Sequence, residues 1–225
     1  MAFPPPYPIF DAIELAFQAS TGYAKLFAMR ITGGRARGIP LKVGKSQSIR
    51  PATDMLRAAV FSSLGPLVES RTFIDLFAGT GAYGLEALSR GAAGGHFVEN
   101  DRRCTGIIAE NLAAVAKSCG ITASGCKVQA ADALRWLPPA GESIGLIFCD
   151  PPYPKIPEWQ EKLFGCARQW LSQADDDARF IFEMPAELDY KPAGFTLIRR
   201  LGSGGKGSPT ICIYGKQAMP PVSVL

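Results

Sequence analysis

The chain has 225 residues, is 47% hydrophobic and 20% charged, and carries a net charge of +4. These values fit one α/β domain with an accessory segment, and no apolar run approaches the ~20 residues that a membrane helix needs. The cysteines are widely spaced without a Cys-x-x-Cys pair and the single histidine is His96, so we predict no metal site and a reducing, cytoplasmic environment.

The first 28 residues differ in composition from the rest of the chain. Residues 1–8 are rich in proline, and residues 11–27 have the pattern of a short amphipathic helix without the basic start of a secretory signal. We expect this extension to be poorly ordered or non-essential, with the functional protein beginning at or near Met29. The alternative is a helix that docks its apolar face on the domain. Residues 218–225 are expected to form a C-terminal tail.

Residues 29–64 form a basic segment that is a candidate for RNA binding. Between Arg30 and Arg50 the chain has six basic residues, four glycines and no acid. Such a stretch suits contacts to phosphates, although it would equally suit a solvated loop. We predict a short strand pair with glycine turns here, followed by a helix that Thr53 or Asp54 would cap. The residues expected to contact RNA are Arg30, Arg35, Arg37, Lys42 and Arg50.

From Thr72 onward the pattern alternates between strand and helix, which is typical of a parallel sheet with crossover helices. Strands are predicted over 72–77, 96–99, 126–130, 144–149, 179–183, 195–200 and 210–214. Helices are predicted from the turn after the first strand to Gly91, over 101–118 with Gly120 as its cap, over 133–137 and over 157–171. The sequence therefore predicts a doubly wound, mostly parallel, Rossmann-like domain at residues 65–217.

A glycine-rich turn follows the first predicted strand. Gly79, Gly81 and Gly84 fit the G-x-G-x-x-G pattern, and Glu99 lies twenty residues after Gly79. This pattern could hold the pyrophosphate of a dinucleotide at the amino terminus of a helix. It could equally hold S-adenosylmethionine, which has a ribose and an adenine but no phosphate. Phe77, Gly79 and Gly81 are the candidate cofactor contacts in this turn.

Acidic residues at the ends of three successive strands help to decide between these cofactors. Asp75, inside the first strand, would repel a pyrophosphate but would suit the ammonium group of a methionine. Glu99 could accept both ribose hydroxyls, and Asp132 could reach the adenine amine. Because the carboxyl ends of parallel strands share one edge of the sheet, the three acids favour S-adenosylmethionine. Asp75 or Asp132 alone could equally be a helix cap or an ion-pair partner.

The string Asp150-Pro151-Pro152-Tyr153 directly follows the predicted strand at 144–149. Asp150 and the carbonyl of Pro151 could accept hydrogen bonds from an exocyclic amine, and Tyr153 could stack on the ring that carries it. The two prolines restrict the backbone and so hold the acceptors in place. Methyl transfer from a sulfonium depends mainly on alignment, so these residues predict methylation of a planar amine. The alternative is a proline-rich turn with an aspartate cap.

Five segments together resemble a known family: residues 29–38, 50–61, 75–91, 97–99 and 150–153. The chain is similar over about residues 29–215 to bacterial methyltransferases that modify the N2 amine of a guanine in 16S ribosomal RNA (the RsmD type). The resemblance implies a seven-stranded sheet of the class I S-adenosylmethionine-dependent methyltransferases, with the last strand antiparallel. It also implies the following site residues: Asp75, Gly79, Glu99 and Asp132 at the methyl donor, and Asp150 with Tyr153 at the base.

The resemblance further implies a substrate in the small ribosomal subunit or its assembly intermediate, and we expect a monomer. One position departs from the family pattern: members usually carry glutamate four residues after the aspartate that matches Asp54, and this chain has Ala58. The contacts of that glutamate are therefore in doubt. Three other functions stay open: an adenine-N6 methyltransferase of DNA or RNA, a nicotinamide-dependent oxidoreductase, and a non-catalytic RNA-binding module.

Overall fold

The computed structural model describes residues 29–44, 51–202 and 204–217. The predictions made for residues 1–28, for Arg50 and for the tail at 218–225 lie outside these ranges. Across the described ranges, no helix is both long enough and apolar enough to span a membrane.

Within the described residues, seven strands form one sheet in the order β3-β2-β1-β4-β5-β7-β6. The first five strands are parallel, and β7 runs antiparallel to β5 and β6, between which it lies. The predicted doubly wound, mostly parallel sheet with an antiparallel last strand is therefore confirmed. The bounds are β1 Thr72–Leu76, β2 Gly94–Glu99, β3 Cys126–Ala130, β4 Leu146–Cys149, β5 Arg179–Pro185, β6 Phe195–Leu201 and β7 Pro209–Lys216.

Helices cover both faces of this sheet, and each face has its own hydrophobic core. The helices are α1 Pro51–Leu64, α2 Ala82–Ser89, α3 Arg102–Cys119 and α4 Ile156–Leu171. Alternate side chains of the central strands point to opposite faces, so Phe73 and Phe148 pack under α1, α2 and α3 while Ile74 and Ile147 pack against α4. Burial on both faces explains why these strands are mostly apolar.

Two local predictions are wrong, and a third is confirmed only in part. Residues 133–135 form a turn rather than a helix, because Pro138 and Pro139 follow at once and prolines prevent the chain from continuing as a helix. Helix α1 begins at Pro51, so Thr53 and Asp54 lie inside its first turn instead of capping it; proline fits a first position, where no N–H is needed. The described part of the basic segment, 29–44, has one isolated bridge between Arg30 and Pro40 rather than a strand pair.

Candidate active site

A pocket of about 650 Å³ opens at the carboxyl ends of β1, β2, β4 and β5. Parallel α/β sheets bind their ligands at this edge. Among the described residues, the walls of the pocket carry carboxyl groups from five positions and one guanidinium, that of Arg57. The acidic residues are Asp75, Glu99, Asp132, Asp150 and Glu183.

The glycine turn between β1 and α2 forms one wall of the pocket. Gly79 has a φ of 55° and Gly81 a φ of 80°, both in the left-handed region that glycine tolerates. Gly79 lines the pocket, whereas Gly81 is not among the lining residues. A Cβ at Gly81 would lie 3.2 Å from Ile108 and from Phe97. Gly81 therefore contributes to the turn and to helix packing, and its role as a cofactor contact stays a prediction.

Asp75 is the most enclosed acid of the pocket, with a relative exposure of 3%. Its Oδ2 accepts a hydrogen bond from the N–H of Gly84 in α2 (2.9 Å), which fixes the carboxyl beneath the turn. Burial raises the pKa of Asp75 to about 8, and the nearby charge of Glu99 adds to the increase, while the Gly84 hydrogen bond and Arg57 oppose it. Asp75 is therefore largely protonated at neutral pH.

Glu99 ends β2 and is held by two backbone amides. The N–H of Gly79 donates to Oε2 and the N–H of Asp101 donates to Oε1, both at 2.8 Å. A carboxylate oxygen can accept more than one hydrogen bond, so Glu99 keeps acceptor capacity toward the pocket. Asp132 follows β3 and accepts from the N–H of Leu134 (2.9 Å), with its side chain 47% exposed. The three acids that the sequence predicted thus meet along one side of the pocket.

Asp150 and the residues after it form the opposite wall of the pocket, beyond the end of β4. The N–H of Asp150 continues the ladder by donating to the carbonyl of Leu76 (3.5 Å), and a single 3₁₀ turn begins at Tyr153. The surrounding protein, followed by the charges of Glu183 and Asp75, raises the pKa of Asp150 well above its usual range. Asp150 stays accessible from the open pocket, so water moderates this shift. The result is a carboxyl that accepts protons more strongly than an exposed aspartate.

Glu183 is a pocket residue that the sequence analysis missed. It lies near the carboxyl end of β5, and its carboxylate accepts from the hydroxyls of Tyr153 (2.9 Å) and Tyr83 (3.2 Å). Tyr83 itself stacks on Phe148 with ring centroids 5.4 Å apart. Glu183 therefore links Tyr83, in the helix after the glycine turn, to Tyr153, the aromatic residue of the segment 150–153, which is called the Asp150 corner below. The sequence did contain a signal for this residue, because Glu183 is an acid near the end of a strand, like the other four acids of the pocket.

An aromatic wall separates the glycine turn from the Asp150 corner. The rings of Phe77 and Trp159 are stacked, with centroids 5.9 Å apart and an interplanar angle of 10°, and both residues line the pocket. Phe77 has a φ of 57°, which is unusual for a bulky residue and is a form of strain often found at functional sites. The predicted location of Phe77 at the pocket is confirmed, whereas Trp159 was predicted only as part of the apolar face of a helix.

Arg57 connects the pocket to the basic amino-terminal segment. Its guanidinium lies 2.9 Å from Asp54 and 3.4 Å from the buried Glu86, and it donates to the carbonyl of Arg30. Glu86 in turn accepts from the N–H and the hydroxyl of Thr32, both at 2.8 Å. A buried carboxylate thus anchors this segment, but it comes from α2 and not from position 58.

The basic residues predicted to contact RNA do not share one surface beside the pocket. Arg30 is exposed and follows Met29, which lines the pocket. Arg35 donates to the carbonyl of Cys119 (3.3 Å) at the carboxyl end of α3, on the far edge of the sheet. Lys42 pairs with Glu110 on the exposed side of α3, and Arg37 is exposed. Arg50 lies outside the described residues.

The sheet order and the acid-lined pocket define an α/β fold of the methyltransferase type, and comparison with solved structures agrees. The Escherichia coli protein yhhF, described provisionally as a methyltransferase, has 29% sequence identity and a TM-score of 0.68, with 85% of this chain and 99% of that chain covered. A hypothetical protein of Thermus thermophilus, TTHA0928, has 30% identity and a TM-score of 0.62 over 82% of this chain and 98% of that one.

The particular family follows from the sequence. The family described as conserved hypothetical protein 95 matches residues 29–211, and the chain belongs to it. Ribosomal RNA small subunit methyltransferase D of Escherichia coli K12 is 38% identical over 125 residues, which are 56% of this chain and 60% of that protein. YlbH of Bacillus subtilis, described provisionally as an rRNA methyltransferase, is 37% identical over 128 residues, 56% of this chain and 67% of that one. The chain thus spans about three fifths of the first of these relatives, and the resemblance to the RsmD type is confirmed.

Proposed function

We propose that this protein transfers a methyl group from S-adenosylmethionine to the exocyclic N2 amine of a guanine in 16S rRNA of the small ribosomal subunit. The observation that carries the proposal is the arrangement of the pocket. The acids Asp75, Glu99 and Asp132 lie along one side of it, and Asp150 with Tyr153 lies on the other. A donor site and an acceptor site for a planar amine are therefore within one cavity.

The charge of the pocket favours this cofactor over a dinucleotide. Of the residues that the structure describes, five acids and one arginine line the cavity. S-adenosylmethionine carries a sulfonium and an ammonium against one carboxylate, so it is a net cation, whereas the pyrophosphate of a dinucleotide is an anion. In addition, the Gly79 N–H at the turn already donates to Glu99 and is not free to bind a phosphate. We propose that Asp75, which is largely protonated without a cofactor, releases its proton to solvent when the ammonium binds and then pairs with it. Glu99 would pair with the ribose hydroxyls and Asp132 with the adenine amine.

The Asp150 corner supplies the acceptor half of the reaction. When bound, S-adenosylmethionine supplies a methyl group that is already activated by the positive sulfur. Asp150 and the carbonyl of Pro151 accept hydrogen bonds from the amine, which orients its lone pair and stabilises the positive charge that develops on nitrogen. Tyr153 stacks on the base, which must leave its helical stack to enter the pocket.

The choice of substrate rests on the relatives and on the charge of the amino-terminal segment. The Escherichia coli relative is named as a methyltransferase of ribosomal RNA of the small subunit. We propose that residues 29–64 bind RNA phosphates through exposed basic side chains, that the protein acts as a cytoplasmic monomer, and that an assembled or assembling subunit is the substrate. The same pocket chemistry would serve an adenine-N6 methyltransferase, so the identity of the methylated base is the point to test.

The test is methylation of small ribosomal subunits from a strain that lacks this gene, with naked 16S rRNA assayed in parallel. The protein is incubated with S-adenosylmethionine that carries a labelled methyl group, and the RNA is digested to nucleosides for mass spectrometry. N2-methylguanosine is the expected product. N6-methyladenosine would establish the adenine alternative, and binding of NADH in place of S-adenosylmethionine would establish the oxidoreductase. Cofactor binding without methyl transfer to either RNA would favour a non-catalytic RNA-binding module.

A further inference from the structure

Two of the pocket acids lie side by side on neighbouring strands. In the parallel ladder of β4 and β5, Cys149 pairs with Phe182, so Asp150 and Glu183 are the next residues along their strands. Neighbouring strands are about 4.8 Å apart, and residues at the same register point to the same face of a parallel sheet. Asp150 and Glu183 both line the pocket. The fold therefore presents a pair of adjacent hydrogen-bond acceptors at the acceptor end of the cavity.

Two aromatic residues help to hold Glu183 in place. Its Oε1 accepts from the hydroxyl of Tyr153 and its Oε2 from the hydroxyl of Tyr83. A carboxylate has about four lone-pair positions, so a carboxylate that accepts two hydrogen bonds can also accept one from a ligand. The contact with Tyr153 also fixes the distance between the carboxylate and the ring on which the base would stack.

Adjacent acceptors match one nucleobase edge. In guanine the N2 amine lies next to the ring N1–H, so two donors are side by side. In adenine and cytosine the exocyclic amine lies next to an unprotonated ring nitrogen, whose lone pair would face the second carboxylate. Enzymes that act on an extruded base read this Watson–Crick edge through hydrogen bonds. A pair of acceptors would accordingly select guanine.

We infer that Glu183 is a specificity-determining residue that accepts a hydrogen bond from N1–H of the target guanine while Asp150 accepts one from its N2 amine. This inference rests on the proposed function, because it takes the methylated group to be the N2 amine of guanine. It adds a residue that selects the base, and it explains why an acid stands beside the Asp150 corner.

The experiment compares two bases that carry the same amine. Small subunits are reconstituted with 16S rRNA that has guanine or 2-aminopurine at the methylated nucleotide, which mass mapping of ribonuclease fragments of the labelled rRNA locates. 2-Aminopurine keeps the 2-amino group, but its N1 is an acceptor instead of a donor. The wild-type protein should prefer guanine roughly ten- to hundredfold in kcat/KM, as expected for a well-placed pair of hydrogen bonds to a base edge.

Glu183→Gln should lower that preference at least about tenfold, because a carboxamide can present either a carbonyl or an N–H to position N1. Tyr83→Phe is a graded comparison: it removes one of the hydrogen bonds that hold Glu183 but keeps the carboxylate, so the guanine preference should fall less than in Glu183→Gln. Glu183→Ala should slow methylation of both bases. If Glu183 acted only by positioning Tyr153, the ratio between the two bases would not change in the Gln variant.

The outcomes separate this inference from the proposed function. A wild-type protein that makes N2-methylguanosine in natural rRNA but methylates 2-aminopurine as fast as guanine would overturn the role of Glu183 and leave the proposed function standing. This measurement needs no variant, so it holds even if substitutions at position 183 prevent folding. An adenosine product would instead overturn the proposed function itself.

Discussion

Replacing Asp75 with asparagine should stabilise the protein in the absence of cofactor while it weakens cofactor binding. Asp75 is buried, and its pKa is raised from 3.8 to about 8. At pH 7 the unfolded chain has this aspartate ionised, whereas the folded protein holds it mostly protonated. Folding must therefore take up nearly one proton, which costs roughly 4 kcal/mol at pH 7 for a group with an ordinary pKa near 4. Asparagine has no such cost.

Part of this gain is offset by the new amide group. The asparagine carbonyl can keep the hydrogen bond from the Gly84 N–H, but the NH₂ needs an acceptor in the pocket, and an imperfect one costs about 1–2 kcal/mol. The net stabilisation at pH 7 is then about 2–3 kcal/mol, or roughly 5–10 °C in melting temperature for a domain of this size. The neutral amide pairs poorly with an ammonium group, so the Kd for S-adenosylmethionine should rise roughly ten- to hundredfold.

The dependence on pH identifies the cause. Between about pH 4 and 8 the native state binds one proton more than the unfolded state, so the wild-type protein should lose about 1.4 kcal/mol of stability per pH unit relative to the variant. Below about pH 4 both states are protonated, and above about pH 8 both are ionised, so the difference should be constant in each of those ranges. Urea unfolding at about pH 5, 6, 7 and 8 measures this slope.

The same substitution at Asp132 provides the control. Its side chain is 47% exposed, so there is no buried charge to remove, and the wild-type slope should persist. An Asp75→Asn protein that is less stable than the wild type, or more stable by an amount that does not change with pH, would refute the account of a buried carboxyl with a raised pKa. Unchanged affinity for S-adenosylmethionine by titration calorimetry would refute the ammonium contact.

Three further predictions concern the other parts of the site. Asp150→Ala should abolish methyl transfer, because the amine loses its acceptor, but should change the Kd for S-adenosylmethionine by less than about threefold; full turnover would contradict this role. Glu99→Ala should raise the Kd for S-adenosylmethionine at least about tenfold, because a charge-assisted contact is lost. Calorimetry measures this Kd, and an unaltered value would mean that the ribose lies elsewhere. Neutralising the basic side chains of Arg35, Arg37 and Lys42 together should weaken RNA binding and reduce its salt dependence without changing the affinity for the cofactor. Filter binding at several salt concentrations measures this effect, and an unchanged salt slope would indicate a solvated loop.

The sequence predicted the sheet and most of the site because both depend on short-range patterns. Apolar strands followed by acids fixed the positions of Asp75, Glu99 and Asp132 at one edge, since parallel strands end together. Strand β2 was predicted to begin at His96. In the structure this strand begins at Gly94. A Cβ at Gly94 would lie 2.2 Å from the backbone oxygen of Gly125, which explains why glycine stands there inside a strand. A close approach between backbones cannot be read from one strand alone.

The features that the sequence missed depend on contacts between distant segments. Trp159 shows only the helical spacing of a core residue, and its place beside Phe77 follows from how α4 packs against the turn. Arg57 reaches the pocket because Glu86, 29 positions away, holds its guanidinium in the interior. Gly81 matched a cofactor motif, but its conformation and its neighbours on α3 and β2 account for the glycine without any ligand. Motif spacing therefore predicted which residues gather at the pocket, and only the packing shows which contacts each of them makes.

The acids of the pocket affect both the stability of the fold and the charge of the ligand that the pocket would bind. Burial in the cavity, followed by the charges of neighbouring carboxylates, raises the pKa of Asp75 and of Asp150, and this opposes folding. Their cost falls when a cation enters, because each negative charge then gains a partner. The glycine turn and the strand ends hold these groups in place through backbone hydrogen bonds to Glu99 and Asp75. Burial and mutual repulsion of these acids would thus favour a positively charged ligand such as the proposed cofactor.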